Sequence, residues 1–346
     1  MDIQVKQRGR ASIDFLLSIG RATGKLEPTL AAEMSEAGIT EETLADDLDV
    51  RLVQVERAMA DSLAYRAKAV LGEWYAVNHG LIAREAFEEI EADIAPEMEA
   101  LASGPTTIET VAHFAYPDYM RDVWIHRTHG GWDGHPHQGL IHAEFIHKRV
   151  INQSFGGDIF GQRRAVLEHL PRRDYRNIFE IGVSSGFHTV ALAEAFPDAR
   201  ISGCDFSRPM LEQARRMGNE RQMAWTLYVA CGEDTGLPTA SFDLVSSFIV
   251  LHELPADAIR AVFAEAYRLL EPGGTMMMTD VPPYSEHSKM TVWRFDRAGV
   301  LGGEPYWRES SLVDTVALAR EVGFETVKAV KLPTGNYWMT IAEKAR

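Results

Sequence analysis

The chain has 346 residues, 46% hydrophobic and 25% charged, which is typical of folded globular proteins and long enough for about two domains. Its 35 basic and 50 acidic residues give a net charge of −15, which argues against a nucleic-acid binder and against electrostatic docking on an anionic membrane. The sequence contains no run of about 18 apolar residues, no secretion signal and no Cys-x-x-Cys pair, so we expect a cytoplasmic protein without a membrane span.

The first 150 residues are predicted to form a mainly α-helical domain. They carry 25 acidic and 14 basic residues (−11), whereas residues 151–346 carry 25 and 21 (−4), and this shift suggests a boundary near residue 150. Apolar residues recur every three or four positions over 52–70 and 87–101, which is the period of an amphipathic helix. We expect residues 1–150 to cover a substrate pocket as a lid or to form a homodimer.

Histidines are concentrated at the end of this region. Six of the 12 lie within the 22 residues from His126 to His147. Three interpretations stay open: a polar packing loop, a lid that supplies substrate contacts or a base, and a metal site completed by Asp133 or Glu144. His142 and His147 fall on a predicted helix, but a five-residue spacing splays two side chains on an α-helix. We therefore expect no metal.

From about residue 176 the pattern changes to strands that alternate with helices. The predicted strands are 177–181, 200–204, 225–230, 242–250, 275–279, 324–331 and 337–343, and the predicted helices are 189–196, 209–217, 256–270 and 311–322. Short links between alternating elements predict an α/β fold with a doubly wound, mostly parallel sheet of seven strands. Such sheets bind ligands at the carboxyl ends of their strands.

Three motifs follow the first three of these strands. They contain Glu180, Gly182, Ser184 and Gly186 after the first strand, Asp205 after the second, and Glu233 and Asp234 after the third. Glycine permits a tight turn and close approach of the backbone to a ligand. Asp205 lies 23 positions after Gly182, near the spacing at which a carboxylate binds ribose hydroxyls. The motifs predict a nucleoside site, although the G-x-G-x-x-G spacing of nicotinamide-binding folds is absent.

In this order, the motifs of residues 176–285 resemble those of class I S-adenosylmethionine-dependent methyltransferases, and most closely the ubiquinone/menaquinone-biosynthesis branch. Further matching segments are Leu237-Pro238, Phe242-Asp243 and Glu271-Pro272-Gly273-Gly274. The resemblance implies a Rossmann-like fold, S-adenosyl-L-methionine as cofactor and a small-molecule methyl acceptor. One departure is Ser184, where the family usually has glycine. Its side chain either narrows the approach to the cofactor, binds the cofactor carboxylate, or simply adopts an allowed turn conformation.

The resemblance also implies contacts between ten residues and the cofactor. Glu180, Gly182, Ser184 and Gly186 would lie at the methionine end, Asp205 at the ribose, and Ser247 and Phe248 at the sulfonium. Phe206 and Glu233 would lie at the adenine, with Asp234 as the alternative to Glu233. Two rival functions stay open. One is an enzyme that binds this cofactor without transferring its methyl group, such as a cyclase or decarboxylase. The other is a non-catalytic relative that binds a protein partner.

The acceptor chemistry depends on a general base, which a hydroxyl or carbon acid needs and a thioether does not. His252, after the fourth strand, has a suitable ordinary pKa, although a structural role under the next helix is the alternative. His142 and His147 are the other candidates. O-methylation is slightly favoured over C-, N- or S-methylation. The aromatic residues of 282–308 indicate either an apolar pocket or anchors for that loop.

Overall fold

A computed structural model of the chain describes residues 1, 3–152, 158–332 and 337–346. Five helices open the chain: Gln7–Lys25, Glu27–Glu36, Leu48–Ala58, Leu63–Glu88 and Glu91–Ala100. The long helix Leu63–Glu88 begins at Ser62, whose side chain accepts a hydrogen bond from the Tyr65 amide, as helix N-caps do. Its buried face, which includes Phe87, packs with Leu16 and Phe145 in a small core of its own. The region is therefore helical as predicted, but the segments 52–70 and 87–101 are each divided between two helices.

Irregular chain leads from these helices into the second half of the protein. Three short turns of 3₁₀-helix, Asp118–Met120, Ile125–Arg127 and Gly131–Asp133, precede one helical turn at Gln138–Leu140. A π-helix then spans Ile141–Ile151. Among the described residues, no helix combines the length and apolarity that a membrane crossing requires.

A mostly parallel sheet forms the centre of the molecule, as predicted. Its strands are β1 (Thr107–Thr110), β2 (Asn177–Ile181), β3 (Arg200–Asp205), β4 (Trp225–Val229), β5 (Phe242–Phe248), β6 (Leu270–Asp280), β7 (Thr326–Lys331) and β8 (Trp338–Glu343). They lie in the order β1-β4-β3-β2-β5-β6-β8-β7, with only the β6/β8 and β8/β7 pairs antiparallel. The chain order reverses between β2 and β5, where doubly wound sheets bind ligands.

Helices cover both faces of this sheet. They span Ile159–Leu167, Phe187–Ala195, Arg208–Glu220, Ala256–Leu269, Lys289–Gly302, Trp307–Ser311 and Thr315–Val322. Val190 and Leu211 pack in the core on one face, and Phe263 and Leu269 pack in the core on the other. Burial on both faces leaves β5 buried from Asp243 to Phe248, although Asp243, Ser246 and Ser247 are polar.

The strand count differs from the prediction because β1 comes from the N-terminal region and adds an eighth strand at the sheet edge. It pairs with β4 from Thr107↔Thr226 to Thr110↔Val229. Its four side chains are mostly exposed, so the strand has no apolar alternation that a sequence could reveal. The Thr106 hydroxyl donates to the Met223 carbonyl at 2.6 Å and holds the start of the strand in place.

Two element boundaries also differ from the prediction. The helix predicted over 311–322 begins only at Thr315, because the Asp314 side chain accepts hydrogen bonds from the Val316 and Ala317 amides and caps the helix there. Strand β6 begins at Leu270 rather than at Thr275, since the intervening Pro-Gly-Gly segment is accommodated by a shift in its register with β5.

Candidate functional site

A cavity of about 620 Å³ opens at the carboxyl ends of β2, β3, β4 and β5. One wall is the set of loops that follow these strands. The opposite wall comes from helix Leu63–Glu88, the π-helix and helix Lys289–Gly302. The cavity therefore lies where the sheet topology places a ligand, and residues from both halves of the sequence enclose it.

Seven of the ten residues predicted to contact a cofactor line this cavity: Glu180, Gly182, Ser184, Asp205, Phe206, Glu233 and Phe248. The other three lie elsewhere. The Asp234 side chain is 74% exposed and faces His113, Ser247 is buried within β5, and Gly186 precedes helix Phe187–Ala195. The structure thus separates Glu233 from its competitor Asp234, which we leave out of the proposed site.

Two carboxylates line the cavity, Glu180 fully buried and Asp205 partly buried. Asp205 accepts hydrogen bonds from the Ser184 amide at 2.8 Å and the Ser207 amide at 2.9 Å, but burial still raises its pKa to about 7. Glu180 accepts a hydrogen bond from the Thr189 hydroxyl at 2.6 Å, and burial raises its pKa to about 8. Raised values mean that the protein alone does not fully stabilise either charge. A ligand with cationic groups and hydroxyls would complete both sites.

The backbone between β2 and the next helix also fits a closely bound ligand. Gly182 has a φ of 76°, and a Cβ there would lie 2.3 Å from Val250 Cγ2, so the turn requires glycine. Phe206 meets the Tyr116 ring edge-on at 5.2 Å, and the Tyr119 hydroxyl donates to Glu233. These contacts hold the side chains that the sequence motifs placed around the cofactor.

Ser184 has a φ of 50°, a left-handed conformation in which glycine is unstrained and other residues cost roughly 1–2 kcal/mol. We expect Ser184→Gly to raise the free energy of unfolding by about 1 kcal/mol. Relief of the strain stabilises the folded state, and the extra conformational entropy that glycine gives the unfolded chain offsets part of that gain. Urea denaturation measures the change. Ala240→Gly, at an exposed residue outside the cavity with a φ of 54°, is the matched control. A loss of stability at Ser184 alone would contradict the strain.

The π-helix brings His142 and His147 together, with ring centroids 4.1 Å apart. The predicted splaying is wrong because it assumed an α-helix. A π-helix is bonded i→i+5, so residues five apart share one face. Both imidazoles line the cavity, and burial lowers the pKa of His147 to about 3 and that of His142 well below its ordinary value. They are neutral rings at physiological pH.

Metal ligation was the third interpretation of this segment. Asp133 instead accepts a hydrogen bond from the Ser207 hydroxyl at 2.9 Å, and Glu144 pairs with Lys148 Nζ at 2.6 Å. In the parts of the chain that the structure describes, no three His, Cys, Asp or Glu side chains are arranged to hold an ion.

His252 is buried beside Asp280, with its Nδ1 atom 2.9 Å from Asp280 Oδ1. Burial disfavours the imidazolium, but Asp280 outweighs it and raises the pKa of His252 to about 9. The other carboxylate oxygen of Asp280 accepts from the Val250 and Leu251 amides. A protonated imidazole cannot accept a proton, so this geometry favours the structural interpretation of His252.

A second histidine–carboxylate cluster was missed as a site by the sequence analysis. His126 Nδ1 lies 2.6 Å from Glu304 Oε1, and His126 Nε2 lies 3.6 Å from Glu253 Oε1. Burial disfavours its charge, but the two glutamates raise the pKa of His126 to about 10. The three residues are separated widely in sequence, and Glu304 sits in no motif. The histidine segment 126–147 contains His126 and the aromatic segment 282–308 contains Glu304, but neither segment indicated that the three residues meet.

Comparison with known proteins identifies the class. Residues 178–274 match the family model described as a methyltransferase domain. The chain is 32% identical over 143 residues to malonyl-[acyl-carrier protein] O-methyltransferase of Legionella pneumophila, covering 41% of this chain and 48% of the relative. It is 34% identical over 144 residues to demethylmenaquinone methyltransferase of Thermus thermophilus, covering 41% of this chain and 63% of that relative. It thus spans about half to under two thirds of these relatives.

A solved structure from Nostoc punctiforme, described as a candidate O-methyltransferase, superposes with a TM-score of 0.50 and 14% identity, covering 78% of this chain and 72% of the other. At this identity the likeness shows the fold alone. Together the findings show that residues 178–274 form a methyltransferase domain, similar to those of class I S-adenosylmethionine-dependent enzymes. The relatives that this part of the chain resembles include demethylmenaquinone methyltransferases and ubiquinone/menaquinone biosynthesis C-methyltransferases.

Proposed function

We propose that the whole chain transfers a methyl group from S-adenosyl-L-methionine to a small-molecule acceptor, with oxygen favoured as the acceptor atom. The observation that carries this proposal is that one cavity is lined both by the motif residues and by residues of the N-terminal region. Its size suits a nucleoside cofactor beside a small second ligand. A protein that only bound a partner would have no need of a cavity of this size.

We propose that Asp205 binds the ribose hydroxyls, Glu180 the ammonium group, and Phe206 and Glu233 the adenine. The raised pKa values of Asp205 and Glu180 support this assignment, because hydrogen-bond donors and cations on a ligand stabilise such charges. Arg163 lies over the Phe248 ring at 4.7 Å and balances the acidic residues at this end of the cavity.

When bound, the cofactor supplies an activated methyl group on a positively charged sulfur. The protein's share of the reaction is to align the acceptor and to exclude water. Helix Leu63–Glu88 and helix Lys289–Gly302 enclose the cavity on the side opposite the sheet. We propose that they, with the 126–147 segment, form the lid over the acceptor, and that residues 151–346 bind the cofactor.

A homodimer through the N-terminal helices is part of the proposal. Leu63, Val70 and Val77 are exposed at seven-residue intervals along helix Leu63–Glu88, and Val50 and Val53 are exposed on the helix Leu48–Ala58. An exposed apolar stripe of this kind suits a second copy of the chain. The net charge supports a cytoplasmic protein that binds neither nucleic acid nor anionic membrane.

Isothermal titration of the purified chain with S-adenosylmethionine tests the function. We expect a saturable heat at micromolar cofactor, followed by release of S-adenosylhomocysteine when a pool of small hydroxylated acceptors is added. The absence of any heat at high micromolar cofactor would contradict the proposal. Cofactor binding with the methyl group retained or the carboxylate lost would favour a cyclase or decarboxylase instead.

A further inference from the structure

We infer that Glu304 is the general base for a hydroxyl acceptor, with His126 as its positioning residue. The inference rests on the proposed methyl transfer and adds the acceptor class. Glu304 lines the cavity, and its side chain is only 10% exposed. Its Oε1 atom meets His126, while its Oε2 atom is buried and has no hydrogen-bond partner among the described residues. A buried carboxylate oxygen of this kind is costly unless a ligand donates to it.

The backbone around His126 is built for this contact. His126 and Arg127 have φ values of 53° and 52°, a strained conformation for residues other than glycine. Hydrogen bonds hold them there: the His126 amide donates to the Gly303 carbonyl at 3.0 Å, and Arg127 Nε donates to the Leu301 carbonyl at 2.7 Å. Strain that the surroundings enforce is common at functional sites, and here it fixes the imidazole against Glu304.

Glu304 also has the right charge environment. His126, His252 and His79 face it, and despite burial they hold the pKa of the Glu304 carboxyl below its usual range. The other nearby carboxylate, Glu253, accepts a hydrogen bond from Trp132 Nε1 at 2.9 Å and faces His126. When Glu304 takes a proton, the His126 imidazolium therefore keeps Glu253 as its counter-ion.

The other candidate bases are weaker. Protonation of His142 or His147 would create a cation in a buried site, and burial opposes that strongly. His252 already carries its proton between Asp280 and Glu253. Unlike these three histidines, the Glu304 carboxylate is ionised and has one oxygen without a hydrogen-bond partner among the described residues.

An ionised carboxylate selects among acceptor atoms. The O–H group becomes strongly acidic as its oxygen forms the new bond to carbon, so even a weak base takes the proton at that stage. The acceptor oxygen supplies the electron pair for the C–O bond, the C–S bond breaks with its pair left on sulfur, and the O–H proton passes to Glu304 Oε2. An amine would instead be held as an ammonium ion beside Glu304, which would remove its nucleophilic pair.

The test uses phenol, aniline and thiophenol, which share one ring and differ in the nucleophilic atom. S-adenosylhomocysteine fills the cofactor side, and NMR follows the His126 ring signals, assigned with His126→Asn. We expect phenol to shift these signals saturably, aniline and thiophenol to bind at least about five-fold more weakly, and Glu304→Leu to abolish the phenol response. Calorimetry with S-adenosylhomocysteine confirms that each variant is folded and loaded.

Turnover separates a base from a structural residue. With S-adenosylmethionine and phenol, Glu304→Gln should lower kcat about 100-fold while KM stays within about three-fold, since the amide still accepts a hydrogen bond but takes no proton. Glu325→Gln, at an exposed residue outside the cavity, should leave both unchanged. His126→Asn should lower kcat less than Glu304→Gln.

The outcomes distinguish the two proposals. Absence of a phenol response in protein that binds S-adenosylhomocysteine overturns the assignment of Glu304 alone. A response that survives Glu304→Leu, a preference for aniline or thiophenol, or wild-type turnover in Glu304→Gln also overturns it. Failure to bind S-adenosylhomocysteine or S-adenosylmethionine at all is instead the failure of the proposed function.

Discussion

Asp205→Ala is expected to weaken S-adenosylmethionine binding about 100-fold. The proposed site gives Asp205 two charge-assisted hydrogen bonds to the ribose, each worth about 1.5 kcal/mol or more. The same carboxylate accepts from the Ser184 and Ser207 amides, so its loss also releases the turn that lines the cavity. Titration calorimetry measures the affinity, and circular dichroism confirms the fold of the variant.

Asp234→Asn is the matched control for this measurement. Asp234 lies close to the motif in sequence, but its side chain is exposed and faces His113, so the affinity should not change. An equal loss in both variants would mean that general acidity, rather than a ribose contact, holds the cofactor. An unchanged affinity in Asp205→Ala would contradict the ribose assignment directly.

The pH dependence of binding provides a second readout on Asp205. Because burial raises its pKa to about 7, the carboxyl is partly protonated near neutrality, and the ionised form is the better hydrogen-bond acceptor. Affinity should therefore rise as pH increases from about 6 to about 8. Glu180, with a pKa of about 8, should add a further rise in affinity at higher pH. The pH profile of the wild type is therefore compared with that of Asp205→Asn, in which only the contribution of Glu180 remains.

The cofactor half of the site could be predicted from sequence because its geometry is local. Gly182 directly follows β2 and Asp205 is the last residue of β3, and in a parallel sheet the carboxyl ends of neighbouring strands meet at one edge. The β2/β3 pairing places them there, with Glu180 opposite Gly203. The acceptor half could not be predicted in the same way, since His126, Glu253 and Glu304 meet only through tertiary packing.

Two further features escaped prediction for other physical reasons. The sequence of the π-helix does not distinguish it from an amphipathic α-helix, but its i→i+5 bonding brings the His142 and His147 rings together on one face instead of splaying them. Strand β1 gains its stability from the edge of β4 rather than from an apolar pattern of its own. In both cases the residue types can be read from the sequence, but their relative positions depend on packing against the rest of the fold.

Asp280→Asn is expected to lower the free energy of unfolding by about 3 kcal/mol near pH 6. The buried Asp280 carboxylate raises the pKa of His252 from 6.5 to about 9, and each pKa unit corresponds to about 1.4 kcal/mol. Because the folded-state pKa lies above the unfolded one, this stabilisation is complete below about pH 6.5 and is lost as pH rises through about 9. The variant should lack that part of the pH dependence.

Urea denaturation of the wild type, Asp280→Asn, His252→Asn and the double variant completes a thermodynamic cycle. Groups that titrate in all four proteins cancel, so the cycle isolates the His252–Asp280 pair, whose atoms are 2.9 Å apart. Asp61→Asn, at an exposed residue, should change stability by no more than about 0.5 kcal/mol. A coupling energy below about 1 kcal/mol at pH 6, or one that persists undiminished above the folded-state pKa, would mean that His252 is neutral in the native protein and again available as a base.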